Sequence, residues 1–161
     1  MEPVEVAEVV WDTVTYFSGR QGLVGGITVE AGNLVDVRVE GNAVLLGWVL
    51  ENLIKNAVAA CSSGEGPGRV EVVCDYPDES RTLVEIQVSD NGRGIQPREH
   101  GQVFRTGYST RKGGWGLGLP LSKRIVEEYH NGKLKLLSSV PGKGTTFSVI
   151  LPVCTPKDGS C

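Results

Sequence analysis

Several features that would assign a class of protein directly are missing from this 161-residue chain. Its four cysteines form no C-x-x-C pair and have no histidine close by, which argues against a zinc site and a redox-active dithiol. We therefore expect reduced thiols and a cytoplasmic location. No signal peptide is recognisable, and no apolar run approaches the ~18 residues that suggest a membrane span.

Charge gives equally little direction, since a net charge of -3 offers no reason to expect a nucleic-acid partner. With 40% hydrophobic residues, a chain of this length can bury roughly 68 to 70% of its unfolded surface. The sequence predicts one globular domain over residues 1–153 and a disordered tail over residues 154–161.

Hydrophobic periodicity outlines the secondary structure. Helices are predicted over residues 4–18 and 42–61, and a third from Leu119 to about Tyr129. Strands are predicted at 27–30, 35–39, 69–76, 83–90, 133–137 and 145–151. The first two strands should form a hairpin or strand pair bridged by residues 31–33, and the short link after residue 76 predicts antiparallel pairing with 83–90.

Asp90 closes one of these strands and is followed by Gly92 and Gly94. Two glycines with one residue between them let a flat ligand come close to the backbone. A buried carboxylate would accept a hydrogen bond from the adenine amine, worth roughly 1.5 to 3 kcal/mol, whereas guanine presents a carbonyl there. The alternative is an ordinary turn from strand to loop.

A second glycine cluster, at residues 113–118, leads into the helix that carries Pro120 near its start. Backbone N–H groups and the helix dipole favour an anion at such a place. The cluster lacks the Gly-Lys-Ser/Thr ending of a Walker loop and the G-x-G-x-x-G of a dinucleotide site. The preceding residues 104–116 have no sustained periodicity and are predicted to form a lid that can move on its glycines, with Trp115 unusual among them.

Taken together, the chain resembles the catalytic, ATP-binding domain of sensor histidine kinases, in the superfamily shared with gyrase, Hsp90 and MutL. Five blocks carry the resemblance, in order: Asn52 to Ala57, Asp90 to Gly94, Phe104 to Arg111, Gly114 to Leu119 and Gly144 to Phe147. The resemblance implies a Bergerat-type fold. This is a two-layer α/β sandwich in which helices lie on one face of a mixed, mostly antiparallel sheet.

The resemblance also implies the site. Its expected nucleotide-binding residues are Asn52, Lys55, Asn56, Asp90, Gly92, Gly94, Ser109, Thr110, Arg111, Gly114, Gly116, Leu117, Gly118, Leu119 and Thr145. Asn52 and Asn56 are the expected catalytic residues, and Asn56 is the expected Mg²⁺ ligand on the phosphates of ATP or ADP. Thr145 is expected to place a hydroxyl near adenine, and Thr146 is the alternative candidate for this role.

The sequence itself supports a role for both asparagines, because they lie one turn apart on an apolar helix, where an amide is costly unless it is satisfied. The alternative is a pair that caps neighbouring loops. In the ATPases and serine kinases of the superfamily, a glutamate acts as general base at the position of Asn52. An amide cannot take a proton, and Glu51 is predicted to be an exposed partner of Lys55.

Two positions depart from the resemblance, since Ala59 and Ala60 replace the Lys-Tyr or Arg-Phe that often follow the magnesium asparagine. The positive charge for the phosphates is then expected from Lys55, Arg111 or Lys112. Seven basic residues against two acidic ones between residues 90 and 124 predict a local positive field there.

A histidine kinase needs a phosphoacceptor, but both histidines of the chain, His100 and His130, are expected to be structural. The resemblance places the acceptor on a helical dimerisation domain, which we expect to be absent from this chain, with a response regulator downstream. The isolated domain is expected to be a monomer outside the membrane. Alternatives are an ATPase or serine kinase of the superfamily, or a non-catalytic nucleotide-binding interaction module.

Overall fold

The computed structural model describes residues 1–18, 26–62, 66–105 and 118–154. Three helices are present in this part of the chain: α1 (Val6–Ser18), α2 (Ala43–Ser62) and α3 (Gly118–Arg124), which continues as a π-helical turn at Ile125–Tyr129. A short 3-10 helix, Pro97–Gln102, follows the Asp90 loop, where the sequence predicts a short helix or turn.

Within the described ranges, seven strands form two sheets. They are β1 (Glu2–Glu5), β2 (Ile27–Leu34), β3 (Arg38–Gly41), β4 (Gly68–Asp75), β5 (Leu83–Asp90), β6 (Lys133–Val140) and β7 (Gly144–Pro152). The main sheet has the order β2-β4-β5-β7-β6, and β1 and β3 form a separate two-stranded ribbon. Only β2 and β4 pair in parallel, so the main sheet is mixed and mostly antiparallel.

Alternation along the strands builds the core. Val84, Ile86 and Val88 of β5 are buried on one face, while Glu85 and Gln87 on the other face remain partly exposed. Helices α1 and α2 cover the buried face, and α2 contributes side chains at helical spacing: Leu46, Val49, Leu50, Leu53, Ile54 and Ala57. The predicted two-layer α/β sandwich is therefore confirmed.

Local signals gave accurate boundaries where the interactions are local. Asn42 caps α2, because its side-chain Oδ1 accepts a hydrogen bond from Leu45 N at 3.0 Å. The antiparallel pairing of β4 with β5 is also confirmed. Strands β6 and β7 form an antiparallel hairpin, and β6 is longer than expected.

The hairpin predicted from residues 27–30 and 35–39 is wrong. β2 continues through residues 31–33 and pairs in parallel with β4, while β3 pairs with β1. The backbone of Arg38 also accepts a hydrogen bond from Cys154 N at 2.8 Å, so the partners of β3 come from both ends of the described chain. Alternation indicates that a segment is a strand, but it does not identify a partner that is distant in sequence.

Three side chains differ from what their residue types or the sequence suggest. Trp11 is 58% exposed and Val44 is 80% exposed, although both are large apolar residues of helices that pack on the core. Cys61 and Cys74 are free, buried thiols, but Cys154 is disulfide-bonded, which corrects the expectation of reduced thiols there.

Helix α2 also corrects the expectation about apolar segments, because by length and composition alone it could cross a membrane. Its Leu50, Leu53 and Ile54 are instead packed in the core against the sheet. Its apolar character is thus explained by its place at the centre of the fold.

Candidate nucleotide-binding site

Asp90 lies at the end of the central strand β5, directly opposite Thr145 of β7. Its Oδ1 accepts a hydrogen bond from Gly92 N at 2.9 Å. Burial raises the pKa of the Asp90 carboxyl from 3.8 to about 6, although hydrogen bonds from the backbone of Gly92 and Thr145 act in the opposite direction. This carboxylate is therefore short of polar partners and suited to accept a further hydrogen bond from a ligand.

The loop after Asp90 packs directly on helix α2. A Cβ atom added to Gly92 would lie 2.6 Å from the carbonyl carbon of Ala60, and Arg93 N donates to Ala60 O at 3.2 Å. Gly94 has a φ of +74°, which favours glycine over other residues. The two glycines thus allow the loop to pass between the helix and the strand ends.

Asn91 has a role that the sequence reasoning did not identify. Its Oδ1 accepts from Arg69 N at 2.7 Å and its Nδ2 donates to Pro67 O at 3.2 Å, which fixes the Asp90 loop to the start of β4. Nearby, burial first and the Asp90 charge second raise the pKa of the Cys61 thiol. Asp90 therefore faces the candidate site, whereas the adjacent Asn91 holds the loop in place.

Helix α2 presents Asn52, Asn56 and Ala60 one turn apart on a partly buried face. At one end of this face the Asp90 loop packs on Ala60. At the other end, a Cβ atom added to Gly118 would lie 2.7 Å from Asn52 Oδ1, so the start of α3 sits against that amide. Asn52 and Ala60 are eight positions apart, which corresponds to about 12 Å along the helix axis.

The two asparagines differ in their partners. Asn52 Nδ2 donates to Trp48 O at 3.2 Å, within its own helix. Among the residues that the structure describes, the Asn56 side chain has no hydrogen-bond partner and is partly exposed. The alternative role of the two asparagines, capping neighbouring loops, finds no support at Asn56. Its side chain is free to bind a ligand.

The two threonines near the end of the chain lie on opposite faces of the sheet. Thr145 is 5% exposed and faces the core side with Asp90, whereas Thr146 bonds Ser89 Oγ at 2.9 Å on the outer side. Leu119, a further residue predicted to bind the nucleotide, is partly buried and packs on the core. Of the two threonines, only Thr145 lies beside Asp90.

Three of the basic residues form ion pairs with acidic residues of their own helical segment. Lys55 pairs with Glu51 at 3.1 Å, as predicted. Lys123 and Arg124 form further ion pairs on α3, with Glu127 and Glu128. The remaining predicted site residues and basic candidates, Ser109, Thr110, Arg111, Lys112, Gly114, Gly116 and Leu117, lie outside the described residues, as do Trp115 and most of the predicted lid.

Both histidines have structural contacts, as predicted. Buried His130 accepts from Asn42 N through Nε2 at 3.0 Å and donates through Nδ1 to Ile125 O at 2.9 Å. His100 Nε2 lies 2.9 Å from Ile95 O.

Comparison with known proteins decides the family. The model of the histidine kinase-, DNA gyrase B- and HSP90-like ATPase family matches residues 41–155. The chain belongs to this family. Its Asp90 loop, both asparagines of α2 and the β6–β7 hairpin all lie within the matched region.

Two similar relatives of the chain are kinases by name. The chain is 36% identical over 115 residues to the signal transduction histidine-protein kinase AtoS of Escherichia coli, covering 71% of this chain and 18% of that protein. Sporulation kinase C of Bacillus subtilis is also 36% identical, with 71% and 25% covered. The chain thus spans about a fifth to a quarter of these relatives, and it resembles their catalytic ATP-binding domain.

Solved structures with a similar fold cover most of the chain. The mycobacterial sensor histidine kinase MprB has a TM-score of 0.76 at 27% identity, with 94% of this chain and 97% of that chain covered. The catalytic domain of histidine kinase ThkA, in a nucleotide-free form, also has a TM-score of 0.76, at 26% identity, with 94% and 98% covered. The fold is that of a histidine kinase catalytic domain.

Proposed function

We propose that this domain binds ATP and transfers its γ-phosphoryl group to a histidine on a separate helical domain of a sensor kinase. The observation that carries the proposal is the face of α2 that holds Asn52 and Asn56, bounded by the Asp90 loop at one end and by Gly118 at the other. Asp90 would supply a carboxylate for the base at one end of this face, and the free amide of Asn56 would serve the phosphate region.

Recognition of the base would depend on Asp90. An ionised carboxylate at the end of β5 would accept a hydrogen bond from the exocyclic amine of adenine. The close packing of Gly92 on Ala60 holds the Asp90 loop against helix α2. Thr145, opposite Asp90, supplies a hydroxyl on the same face. These groups favour adenine over guanine, which presents a carbonyl at the position of the amine.

Magnesium binding fits the residues that are present. No group of three His, Cys, Asp or Glu side chains that could hold a metal ion occurs in the part of the chain that the structure describes. Mg²⁺ keeps several waters and takes few protein ligands beside substrate phosphates, so the single free amide of Asn56 is an adequate ligand. When bound, the ion would neutralise charge on the phosphates.

Asn52 argues against the ATPase and serine kinase alternatives. Its Nδ2 donates to Trp48 O and its Oδ1 faces Gly118, and neither amide atom can accept a proton at neutral pH. A neutral imidazole is already nucleophilic near pH 7 and needs no strong base. The chain's own contribution would therefore be to position the substrate and to stabilise developing charge.

The partners follow from this chemistry. The acceptor histidine belongs to a helical dimerisation domain of the parent kinase, and a response regulator would receive the phosphoryl group from it. We further propose that the isolated domain is monomeric, since dimerisation belongs to the acceptor domain, and that it lies in the cytoplasm. Light scattering on the isolated domain tests the first of these statements, and a tight dimer would contradict it.

Calorimetric titration tests the binding part of the proposal. ATP, ADP and GTP are titrated, with and without Mg²⁺, into the wild type and into Asp90→Asn and Asn56→Ala. We expect adenine nucleotides to bind, Asp90→Asn to abolish binding, and Asn56→Ala to remove the effect of Mg²⁺ on ATP. Undiminished Mg²⁺-dependent affinity in Asn56→Ala would favour a binding module that does not use the metal.

Transfer itself is tested with γ-labelled ATP and the helical phosphoacceptor domain of the parent kinase supplied as a separate protein. Label should appear on that domain in an acid-labile, alkali-stable form, as expected for phosphohistidine. Asn52→Glu tests the alternative chemistry, since brisk ATP hydrolysis gained by this variant alone would show that the wild type lacks only the general base. Brisk ATP hydrolysis by the wild type, without label on the acceptor, would overturn the kinase assignment.

A further inference from the structure

We propose that Ser139 orients the Thr145 hydroxyl towards the bound base and thereby sets the preference for adenine over guanine. This inference rests on the proposed function, which places the base beside Asp90 and Thr145. Ser139 would act as a positioning residue, because it works through Thr145 and not through its own contact with the nucleotide.

An irregularity in β6 brings Ser139 to this place. Pairing with β7 is regular up to Leu136, which faces Phe147, but the next residue to find a partner is Ser138, opposite Thr146. Leu137 is thus an extra residue, and one extra residue in a strand moves all later side chains to the opposite faces. Ser139 consequently stands opposite Thr145, which itself stands opposite Asp90.

The hydroxyl of Ser139 is held by three groups. It accepts from Ile95 N at 2.8 Å, lies 2.7 Å from Thr145 Oγ1, and lies 3.3 Å from Gly144 O. A serine hydroxyl has one proton to donate. Either oxygen can be the donor in the 2.7 Å contact between the two hydroxyls. In the arrangement that we propose, Ser139 donates its proton to Thr145 and not to Gly144 O, whose distance of 3.3 Å is long for an O–H···O hydrogen bond.

The proton of Thr145 is then left for the ligand. Thr145 is 5% exposed, so its hydroxyl has few other directions in which to donate. Next to its amine, adenine carries a ring nitrogen that accepts a hydrogen bond, whereas guanine carries a carbonyl followed by an N–H donor. An acceptor at Asp90 and a donor at Thr145, acting directly or through one water, match adenine at both positions and oppose guanine at both.

The test is calorimetry with ADP and GDP in the absence of Mg²⁺, on the wild type, Ser139→Ala, Ser139→Thr and Ser138→Ala. Ser138 is an exposed serine next in the chain, opposite Thr146, and is the matched control. We expect Ser139→Ala to bind ADP about tenfold more weakly with little change for GDP, because one oriented hydrogen bond is lost. Ser139→Thr keeps the hydroxyl and should restore the preference, and Ser138→Ala should match the wild type.

The ratio of the two affinities separates positioning from a structural defect. If Ser139→Ala retains the wild-type ratio, whether both affinities are unchanged or both fall together, the inference is wrong while the proposed function stands. If the wild type binds no ADP, the proposed function fails and this inference with it. Should Ser139→Ala not fold, the nearly isosteric Ser139→Cys replaces it, and a wild-type ratio in that variant would equally overturn the inference.

Discussion

At the scale of single residues, Asp90 has opposing effects on binding and on stability. Only the ionised form accepts a hydrogen bond from adenine, yet burial raises the pKa of this carboxyl from 3.8 to about 6. The folded state thus holds the proton more tightly than the unfolded state. The contribution of Asp90 to stability is therefore fully present below about pH 4 and is lost as the pH rises through about 6.

We accordingly predict that Asp90→Asn raises the free energy of unfolding of the nucleotide-free domain at pH 7.5 by about 1 kcal/mol. A neutral amide avoids the burial of charge, although it accepts the two backbone hydrogen bonds less strongly. At pH 4 the gain should disappear. Urea denaturation at both pH values measures the effect, and a variant less stable than the wild type at pH 7.5 would contradict it.

Gly92 is required because there is no room for a side chain at its position. We predict that Gly92→Ala displaces the Asp90 loop, because the new methyl group would meet the backbone of Ala60 at 2.6 Å, and that ADP affinity falls at least tenfold. Gly101→Ala is the matched control, since a Cβ atom there meets nothing within 4 Å. Calorimetry compares the two variants, and equal affinities for ADP would show that the close packing is unimportant.

The sequence predicted only part of the site at this scale. Asp90, Gly92 and Asn56 carry motif spacing that can be recognised along the chain. Asn91 and Ser139 could not be found in this way, because their partners, Arg69 N and Ile95 N, are 22 and 44 residues away. Strand pairing brings both residues to their partners. Ser139 also depends on a bulge that has no clear sequence signal.

At the scale of elements, His130 joins the end of the third helix to the start of the second. Asn42 N must donate and Ile125 O must accept, so both nitrogens of a neutral ring are used. We predict that His130→Ala destabilises the domain by about 2 to 4 kcal/mol, since it removes both bonds and leaves a cavity. His100→Ala, which loses one partly exposed contact, should cost less than half as much in urea denaturation.

Prediction of the elements succeeded where their partners are close along the chain. Helix α2 has its own cap at Asn42, and β4, β5 and the β6–β7 hairpin are joined to their partners by short turns. The error at β2 and β3 arose because both strands pair with distant segments. Loop composition at residues 31–33 favoured a turn, but the parallel pairing with β4 overrode it.

At the scale of the whole molecule, the candidate site is assembled from parts that are far apart in the sequence. The Asp90 loop, helix α2 and strand β7 meet around one core, and a nucleotide bound between them would contact all three. Unfolding the domain would destroy that site completely. A ligand that binds only the folded state stabilises it by an amount set by its concentration and its dissociation constant.

We therefore predict that ADP at 100 times its dissociation constant stabilises the domain by about 2.7 kcal/mol. For a chain of this size, that corresponds to a rise in Tm of about 5 to 10 °C. GDP at the same concentration should give almost no shift, and Asp90→Asn should respond to neither nucleotide. Thermal unfolding followed by circular dichroism measures all four cases. Equal shifts with ADP and GDP would mean that binding depends on the phosphates alone, and the role of Asp90 in selecting the base would then have to be abandoned.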